Sequence, residues 1–368
     1  MKYLFLITVL FFSCKSKQEK PINSNEKQYV ENIAEVEISN QKIEQFIGDK
    51  MEAMNIPGLS MAIINKGKIV YHITKGYANI EDNKEVNQQT LFEGASISKS
   101  MFAYLAMQLV DEAKMELDRP LHQYIGQPFP GLDKTNEAYK EITARMVLSH
   151  STGFPNWRGN SELRTQFKPG TKFGYSGEGY QYLVYAVQSI LDTDYRGLES
   201  YFKEKIAIPL KMKNTTYIPN SQTLKNKASA YKNETLIPKQ ENPQEFNAAA
   251  GIHSEAISYS KWLINLMNKN GLTKESYHEL FADQIATPKK DWFNKVGITN
   301  WTLGFAKHKF DFLDRPIYGH IGNNEGFTSL FLMDLSKKWG IVIFTNADQA
   351  DDFGFELFKY LNNENYEI

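Results

Sequence analysis

Ser96 and Lys99 stand three residues apart in Ser96-Ile97-Ser98-Lys99, at the start of an apolar run. On a helix, positions i and i+3 share one face. A serine hydroxyl is a weak nucleophile until a neighbouring base takes its proton. A lysine amine can be that base once burial disfavours its charged form. The first turn of a helix adds free backbone N–H groups, which stabilise a developing oxyanion. Taken alone, the pair reads as a helix-capping serine beside a surface lysine, so the surrounding sequence has to decide. Metal chemistry has no comparable anchor. Cys14 is the single cysteine, and none of the seven histidines is spaced i, i+4 as in a helical zinc motif.

The elements that must position this pair follow from periodicity. Ile43, Phe46, Ile47, Met51 and Met54 recur at helical spacing and predict a helix over 41–55, with Asn40 as its cap. Residues 59–64 and 69–74 are β-rich runs joined by Asn65-Lys66-Gly67, a hairpin signal. A strand-like 91–94 leads into a helix over about 96–113. Helical patches follow at 143–149, 179–191, 198–206, 256–268 and 273–281. Strands are expected at 301–307, 327–334 and 340–346, the last two separated by a turn at Lys337-Lys338, and a final helix at about 351–361. Strands at both ends flank a helical middle. The N-terminal hairpin is therefore expected to pair with the C-terminal strands in one antiparallel sheet covered by the terminal helices, an α+β fold.

The nucleophile segment, Phe92-Glu-Gly-Ala-Ser96-Ile-Ser-Lys99-Ser-Met-Phe102, resembles that of the serine β-lactamase and penicillin-binding-protein superfamily. It is most similar to the class C-like branch, which also holds DD-peptidases, D-aminopeptidases and carboxylesterases. Two further motifs stand in the family's order. Tyr175-Ser176-Gly177 resembles the Tyr-x-Asn element, whose tyrosine moves protons between nucleophile and leaving group. Gly177 occupies the place of the asparagine that holds a substrate amide, a departure from the β-lactamase pattern. His320-Ile321-Gly322 resembles the Lys-Thr-Gly element in its His-x-Gly form. The resemblance implies catalytic roles for Ser96, Lys99 and Tyr175. It further implies that Ser96 and Asn323 supply oxyanion N–H groups, and that His320 binds a substrate carboxylate when protonated or donates a hydrogen bond when neutral. Met146 to Pro155 resembles a loop bordering the pocket, with His150 structural. Residues 249–254 resemble a small-residue turn before a helix. The similarity covers about 41–350, with a sheet region near 41–90 and 290–368 and a helical region near 91–289. The implied reaction is cleavage of a D-amino-acid or cell-wall peptide, or a small ester, with no cofactor and no metal. A β-lactamase, or a binder that acylates without turnover, are the alternatives.

The first residues read as a targeting segment. Lys2 precedes an apolar run from Tyr3 to Phe12, too short to span a bilayer at ~20 residues. Phe11-Phe12-Ser13-Cys14 resembles a bacterial lipobox with phenylalanine in place of the usual leucine. This implies a signal peptide over 1–14, lipidation of Cys14, an exported and membrane-anchored protein, and a polar tether over 15–40. Lys plus Arg is 42 and Asp plus Glu is 43, so the net charge of −1 gives no field for nucleic acid. An α/β-hydrolase is excluded because neither Gly94-Ala-Ser96-Ile-Ser98 nor Gly174-Tyr-Ser176-Gly-Glu178 completes Gly-x-Ser-x-Gly.

Overall fold

The computed structural model describes residues 28–238, 244–348 and 350–362; the signal peptide expected over 1–14, with Cys14, and the first part of the expected tether lie outside them. The described chain opens with a small hairpin, β1 (Tyr29–Glu31) and β2 (Glu37–Ser39), and helix α1 (Asn40–Ala53). The long hairpin follows as β3 (Gly58–Asn65) and β4 (Lys68–Asn79), then β5 (Lys84–Glu85) and β6 (Phe92–Ala95). The middle carries α2 (Ser98–Asp111), α3 (Ala144–Leu148), α4 (Gly177–Leu191), α5 (Tyr195–Phe202) and α6 (Ser221–Lys225). Beyond it come β7 (Tyr231–Lys232), β8 (Thr235–Leu236), β9 (Ile252–Ser254), α7 (Ala256–Met267) and α8 (Lys274–Phe281). The chain closes with β10 (Ile285–Ala286), α9 (Asp291–Lys295), β11 (Ile298–Trp301), β12 (Ala306–His308), β13 (Ile317–Asn324), β14 (Phe327–Asp334), β15 (Trp339–Thr345) and α10 (Asp351–Asn362).

Among the described residues nine strands form one sheet in the order β10-β11-β12-β13-β14-β15-β3-β4-β5, antiparallel throughout. The N-terminal hairpin thus enters beside β15, as its apolar runs require. Both faces of the central strands are covered, so β3, β14 and β15 are apolar almost throughout instead of alternating. Leu59, Met61 and Ile63 of β3 meet α1 and α10 on one face; Ala62 and Ile64 meet the helical region on the other. α2 lies buried on nearly every side, the signature of a helix apolar all round.

Several sequence expectations are corrected. Ser39, not Asn40, caps α1, its hydroxyl accepting from the Lys42 N–H at 3.3 Å. The strand expected at 301–307 is a hairpin, because Gly304 adopts φ 87° and turns the chain between β11 and β12. The tether does not run to residue 40. Val30 and Ile33 are buried in the core beneath α10, and the Ile33 N–H is held by the side chain of Asn362, so the fold begins by Tyr29. α2 begins at Ser98, leaving Ser96 on the turn before it.

Candidate active site

Ser96 sits where β6 ends, and Ala95 before it takes a left-handed φ of 46°. A non-glycine residue there is strained, and the surroundings hold it. The Ser98 hydroxyl donates to Ala95 O and accepts from Ile252 N–H, tying the nucleophile turn to β9. Tyr259 and Tyr217 donate to the carbonyls of Ile97 and Ser98. Below, the Ser100 hydroxyl donates to Gly304 O at 2.6 Å, fixing α2 to the β11–β12 turn.

Lys99 is fully buried. Its Nζ donates to Ser96 Oγ at 3.1 Å and to Ala249 O at 2.7 Å, and lies 4.7 Å from the centre of the Tyr175 ring. None of these partners is a carboxylate. Burial brings the amine down from 10.5 to about 7. The Ala249 carbonyl is itself placed by Asn247, whose Oδ1 accepts from the N–H groups of Ala249 and Ala250.

Tyr175 borders the cleft beside Ser96, and burial raises its phenol above the ordinary range, so it stays protonated. Its ring lies on His150 at 4.1 Å between centres. His150 is buried and neutral, held well below its usual pKa by burial and then by Lys99. Its Nδ1 accepts from Ser176 N–H at 3.1 Å, so it positions the Tyr175 segment.

His320 joins the same cluster, with Trp301 against it, His150 and Tyr175. The carboxylate-binding role expected of a protonated His320 does not suit this geometry. The ring is buried, and burial followed by the nearby Lys99 lowers its pKa to about 3. Nδ1 lies 2.7 Å from Ile321 O, a bond that only an Nδ1 proton can make. In the neutral ring Nε2 is therefore the unprotonated nitrogen, buried with no hydrogen-bond partner among the described residues.

Gly322 lies against the nucleophile turn. A Cβ there would stand 2.3 Å from Gly94 O and 2.9 Å from Ser96 N. Asn323 and Ser96 both border the cleft. Asn324 ties this end of β13 to Glu93 at 2.6 Å and to Ala250 O, and Lys227 pairs with Glu93. At Gly177 an asparagine would have no room, since a Cβ would meet the Trp157 ring at 2.8 Å and Asn156 O at 2.9 Å. Instead Asn156 borders the cleft, its Oδ1 accepting from Gly177 N–H at 3.0 Å. Sequence reasoning missed Asn156, Trp301 and the Ala249 carbonyl. Trp301 reads in the sequence only as the start of a strand, and only the last lies in a segment tied to the site. The cleft encloses about 370 Å³ in front of Ser96.

This sheet, with a Ser–Lys–Tyr cluster packed beside β13, is the β-lactamase/DD-peptidase fold. The chain belongs to the beta-lactamase family, whose model matches residues 43–362. A relative described as Protein flp from Staphylococcus aureus is 23% identical over 351 residues, covering 89% of this chain and 66% of its own length. The chain thus spans just under two thirds of that curated relative. Among solved structures, an octameric penicillin-binding protein homologue from Pyrococcus abyssi superposes with a TM-score of 0.74 at 24% identity, over 88% of this chain and 77% of that one. A D-alanine carboxypeptidase AmpC from Burkholderia cenocepacia gives 0.72 at 17%, over 87% and 97%.

If Lys99 is the base, its pKa dictates the pH profile. Only the free amine can take the Ser96 proton, so kcat/KM for acylation is expected to rise with pH through about 7 and then level off. His150 and His320 titrate far below this window and add no second inflection there. A flat profile between pH 5 and 9 would exclude Lys99 as the base.

Proposed function

We propose that the chain is a serine hydrolase that cleaves an amide or ester through an acyl-enzyme on Ser96, acting on a D-amino-acid or cell-wall peptide or a small ester. The observation that carries this reading is the buried Lys99 amine, 3.1 Å from Ser96 Oγ and with no carboxylate to hold its charge. Ser96 Oγ attacks the carbonyl carbon, and its proton passes to Lys99 Nζ. The oxyanion is held by the N–H groups of Ser96 and Asn323. As the bond to the leaving group breaks, that group takes a proton through the Tyr175 hydroxyl. Water then attacks the acyl carbon, and Ser96 regains its proton. Gly177 disfavours an efficient β-lactamase, because the asparagine slot is filled by Asn156 and Trp157.

The test is a fluorophosphonate, which forms an Oγ–P bond and expels fluoride. Incubation with the folded protein is expected to add one phosphonyl group, mapped by peptide mass to Ser96, at a rate that follows the pH profile above. Labelling at another residue, or no labelling together with no hydrolysis of p-nitrophenyl acetate, would overturn the proposal.

A further inference from the structure

The cleft in front of Ser96 has a one-sided chemistry. Its wall is apolar, formed by Trp292, Phe293, Trp301 and Ile321. Trp292 stays 43% exposed, so the wall is open to an entering group. No Lys or Arg borders the cleft among the described residues. Lys99 lies behind Ser96 with its bonds directed to Ser96 and Ala249. His320 borders the cleft too, but its ring is neutral, with Nδ1 bonded to Ile321 O and Nε2 buried, so it offers no cation. The remaining polar rim is two amides. Asn156 Oδ1 accepts from Gly177 N–H at 3.0 Å and Asn323 Oδ1 lies 3.0 Å from the Thr328 hydroxyl, so the Nδ2 donors of both amides are the groups turned to a ligand.

Resting on the hydrolase reading above, we propose that this cleft selects an uncharged, apolar acyl group, laid against Trp292, Phe293 and Trp301, and rejects an acyl chain that ends in a free carboxylate. The amide donors of Asn156 and Asn323 suit carbonyl oxygens along such a group. A carboxylate would shed its hydration against aromatic rings and meet no cation in return. Neutral amide donors alone do not offset that loss.

The experiment compares p-nitrophenyl hexanoate with the p-nitrophenyl monoester of adipic acid, which has the same chain ending in a carboxylate. kcat/KM is expected to favour hexanoate by about 30-fold or more, within the range one unpaired polar group commands in a specificity pocket. Phe293→Ala should narrow the hexanoate-to-acetate ratio by roughly 10-fold, the scale of lost apolar contact in a pocket. Phe293→Arg, on the short exposed helix α9, should shift the hexanoate-to-adipate ratio towards adipate by a similar factor. Adipate turned over as well as hexanoate overturns the inference, as does a ratio unmoved by either variant. So does a protein that is labelled at Ser96 yet leaves hexanoate untouched. Absence of labelling at Ser96 would instead remove the hydrolase reading itself, so the two failures are told apart.

Discussion

Replacing Lys99 by methionine is expected to cut acylation of Ser96 by ~10³-fold or more, within the range of general-base contributions, while raising the melting temperature at pH 7 and below. Methionine nearly conserves the volume between the Tyr175 and Tyr180 rings, so little cavity or overpacking follows. The catalytic loss comes from removing the amine 3.1 Å from Ser96 Oγ. The gain in stability has a fixed sign. The folded protein holds Lys99 near 7, whereas an exposed lysine titrates near 10.5, so between these values the unfolded chain binds the extra proton. Stability of the parent protein therefore rises with pH across that window, and the penalty of a buried ammonium is complete below pH 7. Methionine removes a penalty on the order of a few kcal/mol. It leaves Ala249 O without its donor, which costs about 1–3 kcal/mol. The advantage of the variant should be largest near pH 6 and should shrink or reverse above pH 10. Thermal unfolding at pH 6, 8 and 10 beside fluorophosphonate labelling measures both halves. A variant less stable than the parent at pH 6 would mean that Lys99 is held for the fold and not strained for chemistry.

The parts of this architecture carried by local pattern were readable from the chain. The three-residue spacing brings Ser96, on the turn before α2, next to Lys99 in its first turn, and the β3–β4 hairpin and β14 carry their own turn and strand signals. The sheet could be anticipated because its central strands, buried on both faces, are almost uniformly apolar. What escaped depends on residues far apart in sequence. Ala249 O meets Lys99 only after β9 has paired with β6. Asn156 reaches the cleft only because the chain folds back on α4, where its side chain holds Gly177 N–H and its carbonyl, with Trp157, fills the space beside Gly177. The neutral state of His320 depends on its burial in the folded cluster and on a neighbouring amine 221 positions earlier in the chain, neither of which composition or periodicity encodes. The folded start near Tyr29 was masked by a polar composition, since Val30 and Ile33 are too few to form a pattern of their own. Their burial depends instead on α10, at the opposite end of the chain.

Gly322→Ala is expected to lower kcat/KM by ~10²-fold or more, the scale of an ångström-sized misplacement at a reacting centre, and to cost about 1–3 kcal/mol of stability through overpacking. The added methyl would lie 2.3 Å from Gly94 O, 2.4 Å from Ser329 Oγ and 2.9 Å from Ser96 N. Two of the three are backbone atoms of the segment that carries the nucleophile. The serine hydroxyl is anchored too, since it donates to the same Gly94 carbonyl at 2.6 Å. No rotamer change relieves the contact, so β13 and β6 must part. That separation moves Ser96 N and Asn323 N together, the two groups proposed to hold the oxyanion. Activity should consequently fall much further than stability explains, with kcat reduced more than KM is raised, because the lost interaction belongs to the transition state. Ser329→Ala in the same chain should not rescue it, as Gly94 O still blocks the methyl. If Gly322→Ala instead keeps near-parental kcat, or if removing the Ser329 hydroxyl restores it, the oxyanion site does not lie between these two strands.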